Sequence, residues 1–163
     1  MYKKKPFLIV FEGVEGCGKS YQSQKLIRSL KKKGINPILT REPGGTRSAE
    51  SIRTLILKDY FNKGKEEKFD KYTDTLLYLA ARNEHIKNKI EPALKRKKVV
   101  ICDRFIDSTI AYQVYGKKVN RSFIDNIHKF ILQGIKPNLV FILKVSSKSS
   151  KLRLKKRKTK NRY

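Results

Sequence analysis

The chain has 163 residues, 40 of them Lys or Arg against 14 Asp or Glu, for a formal net charge of +26. That length suits one domain and is enough to bury about 70% of the surface an unfolded chain exposes. No apolar run approaches the ~20 residues of a membrane span and no secretory apolar stretch opens the chain, so the expectation is a cytoplasmic protein without a membrane partner.

Phe7-Leu8-Ile9-Val10-Phe11 is a continuous apolar run, which predicts a strand over 7–12 buried on both faces. Leu26, Ile27 and Leu30 recur at helical spacing and Gly34 can serve as a C-cap, predicting a helix over about 19–33. Pro37–Thr40 reads as a short strand, Arg41–Thr46 as a loop, and Ile52, Leu55 and Ile56 as the apolar side of an amphipathic helix. After a polar segment (58–69), Leu76, Leu77, Leu79 and Ala80 predict a helix from about 70 to 95, broken near its end by Pro92. Val99–Cys102 predicts a buried strand ending at Asp103. Helices near 107–115 and 121–133, a strand over 139–143 and a helix over 146–158 follow. Strands separated by helical segments imply an α/β fold, a doubly wound parallel sheet with helices on both faces and the first strand central. Gly13, Arg41 and Asp103 follow directly after strands and are expected to converge on one rim, where such sheets bind ligands. The strand over 139–143 is expected to lie at an exposed sheet edge.

Between the first strand and first helix stands Gly13-Val14-Glu15-Gly16-Cys17-Gly18-Lys19-Ser20, a match to the phosphate-binding loop G-x-x-x-x-G-K-[ST]. Its glycines let the backbone curl so that N–H groups point at phosphate oxygens. Lys19 can reach the β- and γ-phosphates of ATP, and the Ser20 hydroxyl can ligate Mg²⁺. Asp103, at the end of an apolar strand, is where a P-loop protein places the acid that holds Mg²⁺ directly or through water; its plainer reading is a helix N-cap. Four arginines, Arg41, Arg53, Arg82 and Arg104, are expected on the same rim. Planar guanidinium groups grip phosphate bidentately, which lysine cannot do, and phosphoryl transfer needs two anions held in line with their charge offset. The plainer reading, surface arginines, covers one or two of the four.

The charge is uneven: residues 144–163 carry ten Lys or Arg and no acid. Such a tail attracts polyanions, so nucleic acid is expected to bind only non-specifically if at all. Cys17 and Cys102 do not make a disulfide framework and read as reduced thiols packed under loops. His85 and His128 show no ligand spacing and no catalytic partner, and read as surface or core residues.

Three further segments stand in order with the P-loop run Phe11–Ser20: Arg41-Glu42-Pro43-Gly44-Gly45-Thr46, Tyr78-Leu79-Ala80-Ala81-Arg82, and Asp103-Arg104-Phe105-Ile106-Asp107-Ser108-Thr109-Ile110-Ala111-Tyr112-Gln113. Together they cover nearly the whole chain, and on them the sequence resembles the bacterial-type thymidylate kinases, which pass a phosphoryl group from ATP to dTMP. The resemblance implies one P-loop kinase domain over 1–163, ATP and dTMP as substrates, Mg²⁺ as cofactor and a homodimer packed through helices. It implies contact of Glu15 with the sugar 3′-hydroxyl and of Arg41 with the substrate. Tyr78 stands where the family has phenylalanine stacking on thymine. Arg82 is implied at the base edge, with Thr109 helping to read it. Arg53 and Arg104 are implied at the dTMP phosphate, Arg104 also near the transferred group, and Tyr112 against the sugar. Glu42-Pro43 is implied to shape the loop over the substrate, with a cis peptide there.

The family's mobile lid is implied to begin at 144–163. Val14–Cys17 contain no arginine, so lid arginines are implied to stabilise the transferring phosphoryl. Arg153, Arg157 and Arg162 fall at lid spacing, with Asn161 where the family has Asp. The implied catalytic set is Lys19, Arg104, Arg157 and Arg162. The family pattern continues past position 163 with more lid, a strand and a helix, so the expectation is a fragment of a longer protein or a truncated gene model. Two other readings stay open: a nucleotide-binding fragment with little turnover, and a P-loop kinase for another small molecule.

Overall fold

The structure, a computed structural model, describes residues 5–61 and 67–155. Four strands form one parallel sheet: β1 (Phe7–Gly13), β2 (Ile38–Arg41), β3 (Val99–Asp103) and β4 (Leu139–Leu143), in the order β2-β3-β1-β4. The connection leaving β1 runs toward β2, whereas the one leaving β3 returns across β1 to β4. Their divergence puts a switch point at the carboxyl ends of β1 and β3, the place where parallel sheets form a binding crevice. Phe11 pairs with Asp103, Arg41 with Asp103, and Gly13 with Leu143, so the expected convergence of Gly13, Arg41 and Asp103 on one rim holds.

The described chain divides into two compact units. Among the described residues, the first comprises 5–41, 93–105 and 137–155, and the second 42–61, 67–92 and 106–136. In the first, Leu8 and Val10 are wholly buried on one face of β1. On the other, Ile9 and Phe11 join Val99 and Ile101 over Leu26, Ile27 and Leu30 of α1 (Lys19–Lys32). Apolar side chains on both faces of β1 and β3 are what a sheet covered on both sides demands. Gly34, in the left-handed region at φ 74°, closes α1 as expected, with Ile35 N–H donating to the Leu30 carbonyl. The Asn138 side chain accepts from Leu8 N–H at 2.7 Å and extends the β1–β4 ladder. β4 is the outer strand, and Leu139, Val140, Phe141 and Ile142 remain 36–66% exposed, as expected of an edge. Phe141 stacks on Phe11 at 5.1 Å between centroids. Helix α7 (Ser147–Lys155) follows, and Ser146 Oγ accepts from Ser149 N–H at its start.

In the second unit, α2 (Arg47–Phe61) opens under Thr46 Oγ1, which accepts from Ala49 N–H, and runs further than the polar segment from 58 suggested. α3 (Lys71–His85) is capped by Asp70, which accepts from Tyr72 N–H at 2.7 Å. Pro92 does not break the helical path. A π-helical turn, Ile86–Ile90, intervenes, and helix continues over Glu91–Lys95 as α4. Glu91 N–H donates to the carbonyl of Ile86, five residues back, and the wider turn makes room for a residue that lacks an N–H and crowds the preceding carbonyls. The helix expected near 107–115 is likewise split into α5 (Ile106–Thr109) and a π-helical Ile110–Gly116. α6 (Arg121–Leu132), capped by Asn120, completes the unit. Among the described residues no helix is long and apolar enough to cross a membrane.

Candidate active site

In the first unit the site starts from the glycine loop. Gly13, Gly16 and Gly18 have φ of 137°, 72° and 103°, conformations that side chains other than glycine rarely adopt. A Cβ on Gly13 would collide with the Leu143 carbonyl oxygen, whereas one on Gly18 meets nothing within 4 Å. Gly18 precedes α1 without a side-chain cap, which leaves the first amides of that helix to an anion.

Lys19 is folded back over the loop and is only 7% exposed. Its ammonium donates to the carbonyls of Gly13 at 2.8 Å and Val14 at 3.0 Å, and lies 3.7 Å from Cys17 Sγ. Burial, and then the charge of Arg104, hold its pKa below that of an ordinary lysine. Arg104 is itself buried and sits in the left-handed region at φ 73°, its N–H donating to the Phe11 carbonyl at 2.9 Å. Two buried cations that raise each other's cost form a place where an anion gains more than it does in water.

Ser20 Oγ donates to Asp103 Oδ2 at 2.9 Å, while Asp103 Oδ1 is buried without a hydrogen-bond partner. A hydroxyl beside a carboxylate with one unsatisfied oxygen fits Mg²⁺, which takes few protein ligands and keeps waters and phosphate oxygens as the rest. Among the described residues no group of three His, Cys, Asp or Glu could hold a metal alone. Helix α7 reaches the same loop: Ser150 Oγ donates to the Glu15 carbonyl at 2.7 Å, and Arg153 to that of Gly16 at 3.1 Å. Arg157 and Arg162, expected to be catalytic, lie outside the described residues.

In the second unit the loop after Arg41 is pinned at Glu42, Pro43, Gly45 and Thr46. The Glu42–Pro43 peptide is cis, as the resemblance implied. Arg53 donates to the Pro43 carbonyl at 2.9 Å, Gly45 N–H to Glu50 at 2.9 Å, and Lys89 to the Gly45 carbonyl at 2.7 Å. Glu42 turns inward and is 4% exposed, with Oε2 2.7 Å from Arg82 Nε and Nη2 and Oε1 3.0 Å from His85 Nδ1. Burial would raise its pKa, but Arg82 and the hydrogen bond from His85 outweigh that and hold it below the usual carboxylate value. Arg82 Nη1 lies 2.7 Å from His128 Nε2. Burial, then the Arg82 charge, lowers His128 from 6.5 to about 4. Tyr78 and Arg82 stand one turn apart on the same face of α3, Tyr78 half-buried. Thr109 is buried and Tyr112 partly exposed. Of the four arginines that the sequence suggested for the rim, Arg53, Arg82 and Arg104 are buried and Arg41 is exposed.

Sequence reasoning missed three parts of this arrangement. His85 and His128 do have site partners, which lie 43 and 46 residues away along the chain. Glu42 does more than shape its loop, since it neutralises Arg82. Glu12, buried in β1, accepts from Phe105 N–H at 2.7 Å and so ties the P-loop strand to the turn after Asp103. An acid inside an otherwise apolar strand was the visible signal for Glu12, and an acid heading a glycine-rich loop in so basic a chain was the signal for Glu42.

A parallel α/β sheet flanked by helices, with a P-loop at its switch point and a Ser–Asp pair beside it, defines a P-loop phosphotransferase of the nucleoside monophosphate kinase type. The thymidylate kinase family model matches residues 11–163. The thymidylate kinase of Dehalococcoides mccartyi is 43% identical over 145 residues, 89% of this chain and 67% of that protein. That of Wolbachia pipientis is 46% identical over 158 residues, 95% of this chain and 71% of that protein. The crystal structure of thymidylate kinase from Ehrlichia chaffeensis superposes with a TM-score of 0.78 at 40% identity, covering 92% of this chain and 78% of that one. The chain belongs to the thymidylate kinase family, and spans about two thirds of the length of these curated relatives.

Proposed function

We propose that the chain transfers the γ-phosphoryl of ATP to dTMP, giving dTDP and ADP, with Mg²⁺ as cofactor. A phosphate oxygen of dTMP attacks the γ-phosphorus as the bond to the bridging oxygen of ADP breaks. The observation that carries the donor half is the buried Lys19 ammonium folded over the glycine loop, with Ser20 bonded to the half-satisfied Asp103. Family membership carries the acceptor half.

On this reading, ATP phosphates exchange places with the Gly13 and Val14 carbonyls at Lys19, and the amides of 13–20 bind their oxygens. Ser20 and Asp103 would hold Mg²⁺, which would supply neutralisation of phosphate charge. Arg104 and Arg53 bind the dTMP phosphate, Arg41 supports it, Tyr78 stacks on the base, Arg82 and Thr109 bind its edge, and Glu15 and Tyr112 meet the sugar. Arg157 and Arg162 complete the charge on the lid side. The half-exposed Leu55 of α2 and Leu76 of α3 support a homodimer packed through helices, which sedimentation velocity checks. The reduced thiols support a cytoplasmic location.

ADP release coupled to dTMP, dUMP, dCMP and AMP tests the assignment. Highest turnover on AMP or dCMP refutes the base specificity. Lys19→Met should abolish turnover while the fold persists; unchanged turnover refutes the site.

A further inference from the structure

Glu42, Arg82, His85 and His128 are each 5% exposed or less and form one chain of hydrogen bonds across the 42–46 loop, α3 and α6. The chemistry fixes the direction of every link. Guanidinium has donors only, so Nε2 of His128, 2.7 Å from Arg82 Nη1, must be the acceptor. His128 is therefore the neutral tautomer with its proton on Nδ1. The Glu42 carboxylate only accepts, so His85 presents a protonated Nδ1 to Oε1 at 3.0 Å. Arg82 is thereby held on two sides, by an anion on Nε and Nη2 and by a neutral lone pair on Nη1.

We propose that His128 is a positioning residue for base recognition: as a neutral acceptor it locks the Arg82 guanidinium, with Glu42, in the one rotamer that reads a pyrimidine carrying a 4-oxo group. This deepens the function proposed above and rests on its placing of Arg82 at the base edge. A free arginine loses rotamer freedom when it is fixed. Here that ordering precedes ligand binding. A thymine O4 accepts from a fixed guanidinium N–H, whereas the 4-amino group of cytosine presents a donor to it. A loosened Arg82 turns away from that clash, so slackening the lock costs selectivity as well as affinity. A second carboxylate in place of His128 would pull Arg82 harder but add an unbalanced charge; a neutral acceptor holds it without one.

Calorimetric titration with dTMP, dCMP and ATP tests this without requiring turnover. His128→Phe removes the acceptor and is expected to weaken dTMP about tenfold, the scale of one hydrogen bond to a charged group. ATP affinity should stay within about twofold, and the preference for dTMP over dCMP should shrink. His128→Gln, whose side-chain oxygen accepts, should keep dTMP affinity and selectivity within about twofold; His128→Met serves as the apolar variant if the Phe form does not fold. Equal losses for dTMP and ATP, or equal losses in the apolar and Gln variants, overturn the positioning role. Arg82→Met separates the two levels. If it leaves dTMP affinity unchanged, the base-edge assignment fails and the inference with it. If it weakens dTMP while the apolar His128 variant does not, the inference alone fails.

Discussion

Acidification exposes the cost of keeping His128 neutral. In the folded chain its pKa is lowered from 6.5 to about 4, first by burial and then by Arg82, with Arg121 adding to Arg82 and with Glu42 and Asp125 opposing them. The unfolded chain protonates this histidine below about 6.5, and the folded one does not until about 4. Between these values the unfolded state binds more protons, so stability falls as pH falls through the window. The gap from 6.5 to about 4, at ~1.36 kcal/mol per pH unit, is roughly 3 kcal/mol before screening. Solvent and counterions bring it to on the order of 2 kcal/mol, a sizeable part of a typical total of about 5–15 kcal/mol. Glu42 acts in the same direction but lower: its pKa is depressed, so its contribution is intact above its ordinary 4.5 and is lost as pH falls below that value. Urea unfolding of the wild type and of His128→Gln at pH 7.5, 6.5, 5.5 and 4.5 isolates the histidine. The wild type should lose about 1–2 kcal/mol more than the variant across that range. Parallel stability curves would refute the reasoning, because they would mean that His128 titrates normally in the folded state.

Other consequences follow from individual contacts. Glu42→Gln leaves Arg82 buried without its counter-ion and should cost about 3 kcal/mol, whereas adding Arg82→Met should restore part of the loss; strictly additive costs in a double-mutant cycle would show the pair to be independent. Gly13→Ala meets both a positive φ and the Leu143 carbonyl and should destabilise by about 2–5 kcal/mol, against about 1–2 kcal/mol for Gly18→Ala, where only the backbone conformation is strained. Equal Tm values for the two variants would contradict the contact. Asp103→Asn keeps a partner for Ser20 but removes the charge, and should raise the Mg²⁺ concentration for half-maximal ADP release about tenfold or more; an unchanged Mg²⁺ dependence would remove Asp103 from the metal site.

Features whose physics is local were legible in the residues. The phosphate loop could be read because glycines at 13, 16 and 18 answer a backbone requirement that no other residue meets cheaply. The parallel sheet could be read because β1 and β3 are apolar at nearly every buried position, Glu12 being the exception, and β4 lies at the sheet edge expected of 139–143. The π-helical turns at Ile86–Ile90 and Ile110–Gly116 were not legible. An added residue in one turn shifts the helical phase slightly, and the apolar spacing of short segments does not resolve it. Pro92 illustrates the point, since a proline that breaks a regular helix is accommodated beside a widened turn.

By itself the sequence determined the fold class, the glycine-rich loop after the first strand and the family, each encoded by contiguous residues or by their order. Tertiary structure alone decided what the charged side chains do. Glu42 finds Arg82 and His85, Arg82 finds His128, and Glu12 finds the turn after Asp103, across separations of 40 to 93 residues. Desolvation is what makes these partnerships compulsory. An exposed Glu or His can pair with water, but one buried to 5% or less must find a fixed partner, and only folding brings that partner within reach.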